Sequence, residues 1–180
     1  MSWTSRAKES VFTRDQNGNL IVRNAVIMQG RNSNGSWSNF SGVPTRVNPS
    51  GGKRTFNVVL PEDVAAELQN EGWNVKMIPP RTDDQEDILY FTEVVLNMEK
   101  KVEPDVYLCT EWAGTKRKTR LHGDDVSQLD DIRFARADVN IYPHQHDRGI
   151  KGHCNQLVVI QAKNDLFDGA YDEYEEDRGE

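Results

Sequence analysis

Cysteine is scarce: the 180 residues hold two, Cys109 and Cys154, too few for a disulfide framework, and the fold must be held by packing. No apolar run approaches the roughly 20 residues that span a bilayer. The first fifteen residues, MSWTSRAKESVFTRD, lack the apolar centre that a signal peptide needs. The expectation is a soluble, cytoplasmic protein with reduced thiols and no membrane partner. Catalytic signatures are missing too: there is no Gly-x-x-x-x-Gly-Lys-Ser/Thr, no Gly-x-Ser-x-Gly and no His-Glu-x-x-His. The acid pairs Asp83-Asp84, Asp124-Asp125 and Asp130-Asp131 read as surface or capping groups before they read as a Mg2+ site. No enzyme and no cofactor are therefore expected.

What is present is a polar chain of one domain's length, with mean hydropathy -0.74. Its net charge is -7, and eight of its 29 acids with one of its 22 bases lie after Lys163. That final stretch carries the whole excess, and residues 1–163 are balanced. A balanced body presents a basic face wherever its cations cluster.

Residues 1–19 read as a flexible N-terminal arm ending in the turn Asn17-Gly18-Asn19. Leu20 to Gln29 is β-branched and predicts a strand. Gly30 to Gly52 is a long Asn/Ser/Gly/Pro-rich loop, and Arg54 to Leu60 a second strand. Pro61-Glu62-Asp63 opens a helix that Gly72 closes. Strands follow at Trp73 to Ile78, Ile88 to Leu96 and Asp105 to Trp112, with an acidic loop over Thr82 to Asp87. A short capped helix is predicted over His122 to Asp131. Arg133 to Tyr142 and Cys154 to Lys163 predict a long β-hairpin with a polar connection. Residues 164–180 lack periodicity and read as a disordered acidic tail. The fold class is mainly β, a barrel or a sandwich, with residues 20–163 as its domain.

Chemistry concentrates between Trp37 and Leu60. Trp37 and Phe40 lie in a polar loop beside Arg46, Lys53 and Arg54, and Phe56 follows in the strand. Aromatic faces stack on any base, worth roughly 1–3 kcal/mol each, and cations track phosphates. Phe56, flanked by apolar residues, and Trp73, just past a helix cap, have closure of the core as their other reading. Trp112 with Lys116, Arg117, Lys118 and Arg120 either extends a phosphate groove or forms a solvated face. His144, His146, His153 and Cys154 cluster in the hairpin connection, but their spacing matches no zinc ribbon or finger, and surface histidines are the expectation, with no metal.

The order of AVIMQGRNSNGSWSNFSG, RTFNVVLPEDVAAELQNEGWNVK and LVVIQAK resembles a family of phage-encoded single-stranded DNA-binding proteins, over about residues 20–163. The resemblance implies an OB-like barrel with an inserted helix and an additional β-hairpin, acting on single-stranded DNA in phage replication or recombination. It implies that DLFDGAYDEYEEDRGE is a partner-binding acidic tail, with Phe167, Tyr171 and Tyr174 as its aromatics, meeting phage or host replication proteins inside the infected cell. The segment Arg31 to Trp37 is longer here than the family pattern. A homo-oligomer is left open, and a non-enzymatic protein-interaction or host-modulating module is the alternative reading.

Overall fold

The computed structural model describes residues 2–32, 35–46, 48–80 and 88–163. The acidic loop over Thr82 to Asp87 and the tail over 164–180, both read from the sequence, lie outside those residues. Within the N-terminal stretch, Ser2 caps a single helical turn, α1 (Trp3–Ala7), by accepting from the Ser5 N–H at 3.2 Å. The strand β1 (Val11–Arg14) follows, and Ala7 is fully buried, so part of the stretch read as a loose arm is packed on the domain. In β2 (Leu20–Arg23), Leu20 and Val22 face the core and Arg23 faces solvent, the period of two that a half-buried strand requires.

The long loop holds a short ribbon, β3 (Arg31–Asn32) with β4 (Gly35–Ser36), and leads to β5 (Thr55–Leu60). The helix α2 (Glu62–Glu71) has Pro61 at its N-cap and Glu62 and Asp63 in its first turn. It ends on Gly72, whose φ of 98° is the left-handed conformation a side chain disfavours. The strands β6 (Val75–Ile78), β7 (Leu89–Val95) and β8 (Asp105–Trp112) match their predicted spans within a few residues. The basic run forms a further strand, β9 (Thr115–Leu121), paired to β8 through the two-residue turn Ala113-Gly114, both at positive φ. A 3-10 helix (Gly123–Asp131) precedes the final hairpin, β10 (Phe134–His146) and β11 (Gly149–Gln161).

That hairpin corrects the sequence reading. Its strands run into the predicted connection until only Asp147 and Arg148 are left to turn, so the histidines stand in paired strands and not in a loop. PHQH is exposed on both faces, so nothing apolar marks it as strand, and in KGHC Gly152 takes an inward place that an apolar residue would have marked.

Nine of these strands form one sheet, in the order β1-β2-β10-β11-β7-β5. The strand β6 also pairs with β7, and the β8–β9 hairpin with β11. The ladder is not closed, but the chain after β2 leaves β10 and reaches β5. The Ala25 N–H donates to the Ala137 carbonyl at 2.7 Å, the Met28 N–H to Asn57 at 2.9 Å, and the Val59 N–H to Val26 at 2.9 Å. The curled sheet encloses Val22, Ile27, Phe40, Phe56, Val58, Leu60, Val94, Ile141 and Leu157. A smaller cluster of Ala7, Val26, Met28, Val59 and Phe91 lies apart from it, with Trp3 and Trp37 packed against it. Along β5, Phe56, Val58 and Leu60 belong to the main core and Val59 to the small cluster, as the pleat dictates.

The tightest approach in the core is at Gly152. A Cβ there would lie 2.5 Å from Ile141 Cγ2 and 3.1 Å from Trp73 Cζ3. Gly152→Ala should overpack the core at a cost of about 2 kcal/mol, lowering the unfolding temperature by about 4–8 °C in a thermal melt.

Candidate nucleic-acid interface

The Asn39-Phe40-Ser41-Gly42 turn is built from its own polar atoms. Asn39 Oδ1 accepts the Gly42 N–H at 3.0 Å, and Gly42 has a φ of 70°. The Asp130 carboxylate then accepts the N–H groups of Phe40 and Ser41, each at 2.9 Å, and so ties the turn to the 3-10 helix. Arg54 completes the tie. Its guanidinium donates to the Phe40 carbonyl at 2.6 Å, to Ser127 Oγ at 3.1 Å and to Asp124 at 2.9 Å. The Ser127 hydroxyl and Arg54 together hold the Asp124 carboxyl below the usual carboxylate range.

Phe40 and Phe56 lie beneath that turn, 1% and 0% exposed, with their rings stacked at 5.5 Å. Trp73 is 4% exposed and lies against Gly152. None of the three offers a ring face to a base. Each fills the core, the other reading that the sequence left for Phe56 and Trp73. Arg54 is spent on the loop, and Arg46 is exposed.

Trp37 and Lys53 do meet, in a groove of about 380 Å3. Trp37 is half-buried, edge-on to Trp3 at 5.7 Å and to Phe91 at 6.1 Å, which fixes its ring. Asn39, Asn48, Thr55 and Asn57 supply polar walls, and Lys76 and Glu93 close the groove with Lys53. Asn57 Nδ2 donates to the Trp37 carbonyl at 2.5 Å, whereas its Oδ1 is buried without a partner, an acceptor beside a groove. Period-two alternation along TFNVVL marks Thr55 and Asn57 as the non-core face, a signal present in the sequence. Lys76, Phe91 and Glu93 had no local signal, since pairing of β7 with β5 and β6 brings them in.

Glu93 organises the charge here. Lys151 stands 3.1 Å from it, Lys53 3.6 Å and Lys76 3.8 Å. Burial alone would push the Glu93 carboxyl up, but Lys151, Lys76 and Lys53 outweigh it and hold it below its ordinary value. The Lys53 ammonium is moved down, by burial first and by Lys151, against the opposing pull of Glu93. One carboxylate facing three ammonium groups leaves the cluster net positive and suited to an anionic ligand.

The second predicted group stands on the β8–β9 hairpin, and the pleat divides it. Register places Lys116, Lys118 and Arg120 opposite Glu111, Cys109 and Tyr107, and Arg117 opposite Thr110, on the other side of the ribbon. Lys118 Nζ lies 4.5 Å from the Tyr107 ring centroid, and Arg120 is bonded to Asp105 at 2.6 Å. At the turn end of the hairpin, Trp112, 55% exposed, lines a groove of about 800 Å3 with Lys116, Arg117, Lys118, Ile160 and Lys163.

At the β10–β11 tip, His144, His146 and His153 share one face. Burial first, then His144, His146, Lys100 and Lys151, push the His153 ring down to about 4. Cys154 is on the opposite face of β11, in the core, where burial pushes its thiol up. It is therefore no partner of the histidines.

Two grooves on the sheet thus each bring lysines beside a tryptophan, Trp37 in one and Trp112 in the other. The sequence matches the family described as "Putative phage ssDNA-binding domain" over residues 19–175, most of the chain, and the protein belongs to that family. Single-stranded DNA is thus its ligand class. Comparison with curated proteins and with solved structures gave no match. Among the described residues, no helix is long and apolar enough to cross a membrane.

Because the folded Glu93 carboxyl titrates below its ordinary 4.5, the stability it contributes is complete above that pH and is lost as the pH falls through its folded value. Melts of the protein and of Glu93→Gln across an acid series should show the variant less stable at neutral pH, with the gap narrowing below about pH 4.5.

Proposed function

We propose that this protein coats single-stranded DNA without sequence preference and without catalysis, during phage DNA replication or recombination in the cytoplasm of the infected cell. The observation that carries the reading is the Lys53, Lys76 and Lys151 cluster around Glu93, next to the Trp37 groove. It places several cations and a fixed aromatic on one surface, as a stacking and phosphate-tracking site requires.

An OB-like arrangement supports the location. Take residues 20–28, β5, β7, β10 and β11 as five successive strands. The first contacts the second and the fourth, the second pairs with the third, the fourth with the fifth, and the third runs parallel to the fifth. OB barrels have this connectivity, and their second and third strands, with the loops after the first and between the fourth and fifth, hold oligonucleotides. Here those are β5 and β7, the Trp37–Lys53 loop and the β10–β11 tip. The β8–β9 hairpin, with Trp112, Lys116, Arg117, Lys118 and Arg120, extends the track.

The acidic residues after Lys163 compete with DNA for these cations at low salt, and Phe167, Tyr171 and Tyr174 then serve replication or recombination partners. A tail carrying the chain's whole net charge is suited to that competition.

Anisotropy titration of labelled oligo-dT and of a duplex of equal length, over a NaCl series, tests the reading. The single strand binds more tightly, and log Kobs falls linearly with log[NaCl]. Lys53→Ala flattens that slope by about 0.7, the share of one phosphate contact on a single strand. Removal of residues 164–180 tightens binding, most at low salt. Salt-independent binding, or a preference for the duplex, would count against the proposal.

A further inference from the structure

We propose that His144, His146 and His153 form a binding site for one divalent first-row transition-metal ion, of the class that zinc represents. The proposal does not rest on the DNA-binding reading, since it needs only the register of the β10–β11 hairpin. In that register Tyr142 opposes His153, His144 opposes Lys151 and His146 opposes Gly149. Residues two apart share a face of a strand, so all three imidazoles rise from the same side of the hairpin.

Their ligand nitrogens all lie within 4.8 Å of one another, and Nε2 of His146 is 3.0 Å from Nε2 of His153. Tetrahedral zinc with bonds of about 2.0–2.1 Å sets its nitrogens about 3.3 Å apart. His144 and His146 are exposed, and rotation about their side-chain torsions brings the set onto one centre.

The surroundings favour ligation over a hydrogen-bonded role. Among the described residues, no carboxylate or backbone group is bonded to any of the three rings, and the one polar contact is ring nitrogen to ring nitrogen. Two lysines stand near, and both have partners: Lys100 Nζ donates to the Tyr142 hydroxyl at 2.8 Å, and Lys151 Nζ to Glu93 at 3.1 Å. With Cys154 turned inward, the donor set is three imidazoles, which leaves a further position to water. Three protein ligands with one open position is an arrangement zinc adopts, and imidazole equally suits copper, nickel and cobalt.

The test uses the untagged full chain, freed of metal with EDTA and desalted, then titrated with ZnCl2 by calorimetry and with CoCl2 by visible absorbance. The proposal requires one equivalent of zinc, a cobalt spectrum of protein-bound ion, and affinity reduced roughly ten-fold or more in His146→Ala. His122→Ala, a histidine at the start of the 3-10 helix, keeps the affinity of the parent protein. Equal melts of metal-free His146→Ala and parent protein show that the exposed ring is not needed for folding. Absence of saturable one-to-one zinc binding, or equal affinity in His146→Ala, would overturn the proposal.

Discussion

One edge of β11 is divided between two partners, and the arrangement of the surface depends on it. Its other edge is bonded to β10 from Gly149 to Gln161. On the divided edge, Gly152 and His153 pair with Val94 and Val95 of β7, and Gln156 to Ile160 pair with β8, both in parallel. Parallel pairing cannot be made by a tight turn, so long connections must run between these strands, and the chain uses them for the β8–β9 hairpin and the 3-10 helix. Gly152 permits the close approach, because any side chain there would meet Ile141 and Trp73. The β7 half of the edge brings Lys151 to Glu93, and the β8 half brings Ile160 and Lys163 beside Trp112.

Charge then follows from register. The chain body is neutral in total, yet Lys53, Lys76 and Lys151 come from three different strands or strand ends to one carboxylate. Glu93 is what allows three ammonium groups to share so small a space, since without it they would repel one another and shed protons more readily. With that one carboxylate the cluster stays net positive, the charge that the proposed phosphate contact requires. The aromatic component is equally constrained: Trp3 and Phe91 hold Trp37 edge-on, so its ring needs no ordering when a ligand arrives.

Much of the fold was legible in the sequence because it is local. TFNVVL alternates, Pro61 and Gly72 bracket a helix, and strands end at Pro79 and Gly114. The Asn-Phe-Ser-Gly turn and its neighbours carried the family resemblance. What was not legible depends on partners distant in sequence. The run Lys116 to Arg120 carried no strand prediction, because a doubly exposed ribbon has no apolar alternation to mark it as strand. The histidine segment read as a connection for the same reason. Loop composition singled out Trp37 and Lys53, which do line one groove, whereas Phe40 read as a stacking platform and lies in the core, as does Phe56, for which the core was already the other reading. Glu93 and Lys151 had no signal at all before the parallel pairing of β7 with β11.

In the proposed complex, DNA runs over the outer face of β5, β7 and β11, beside the Trp37 loop. Photocrosslinking with oligonucleotides carrying 5-iododeoxyuridine, followed by peptide mapping, tests it directly. Crosslinks are expected in peptides containing Trp37, with further ones at the β8–β9 hairpin around Trp112; crosslinks confined to α2 or β1, with none at Trp37 or Trp112, would contradict it.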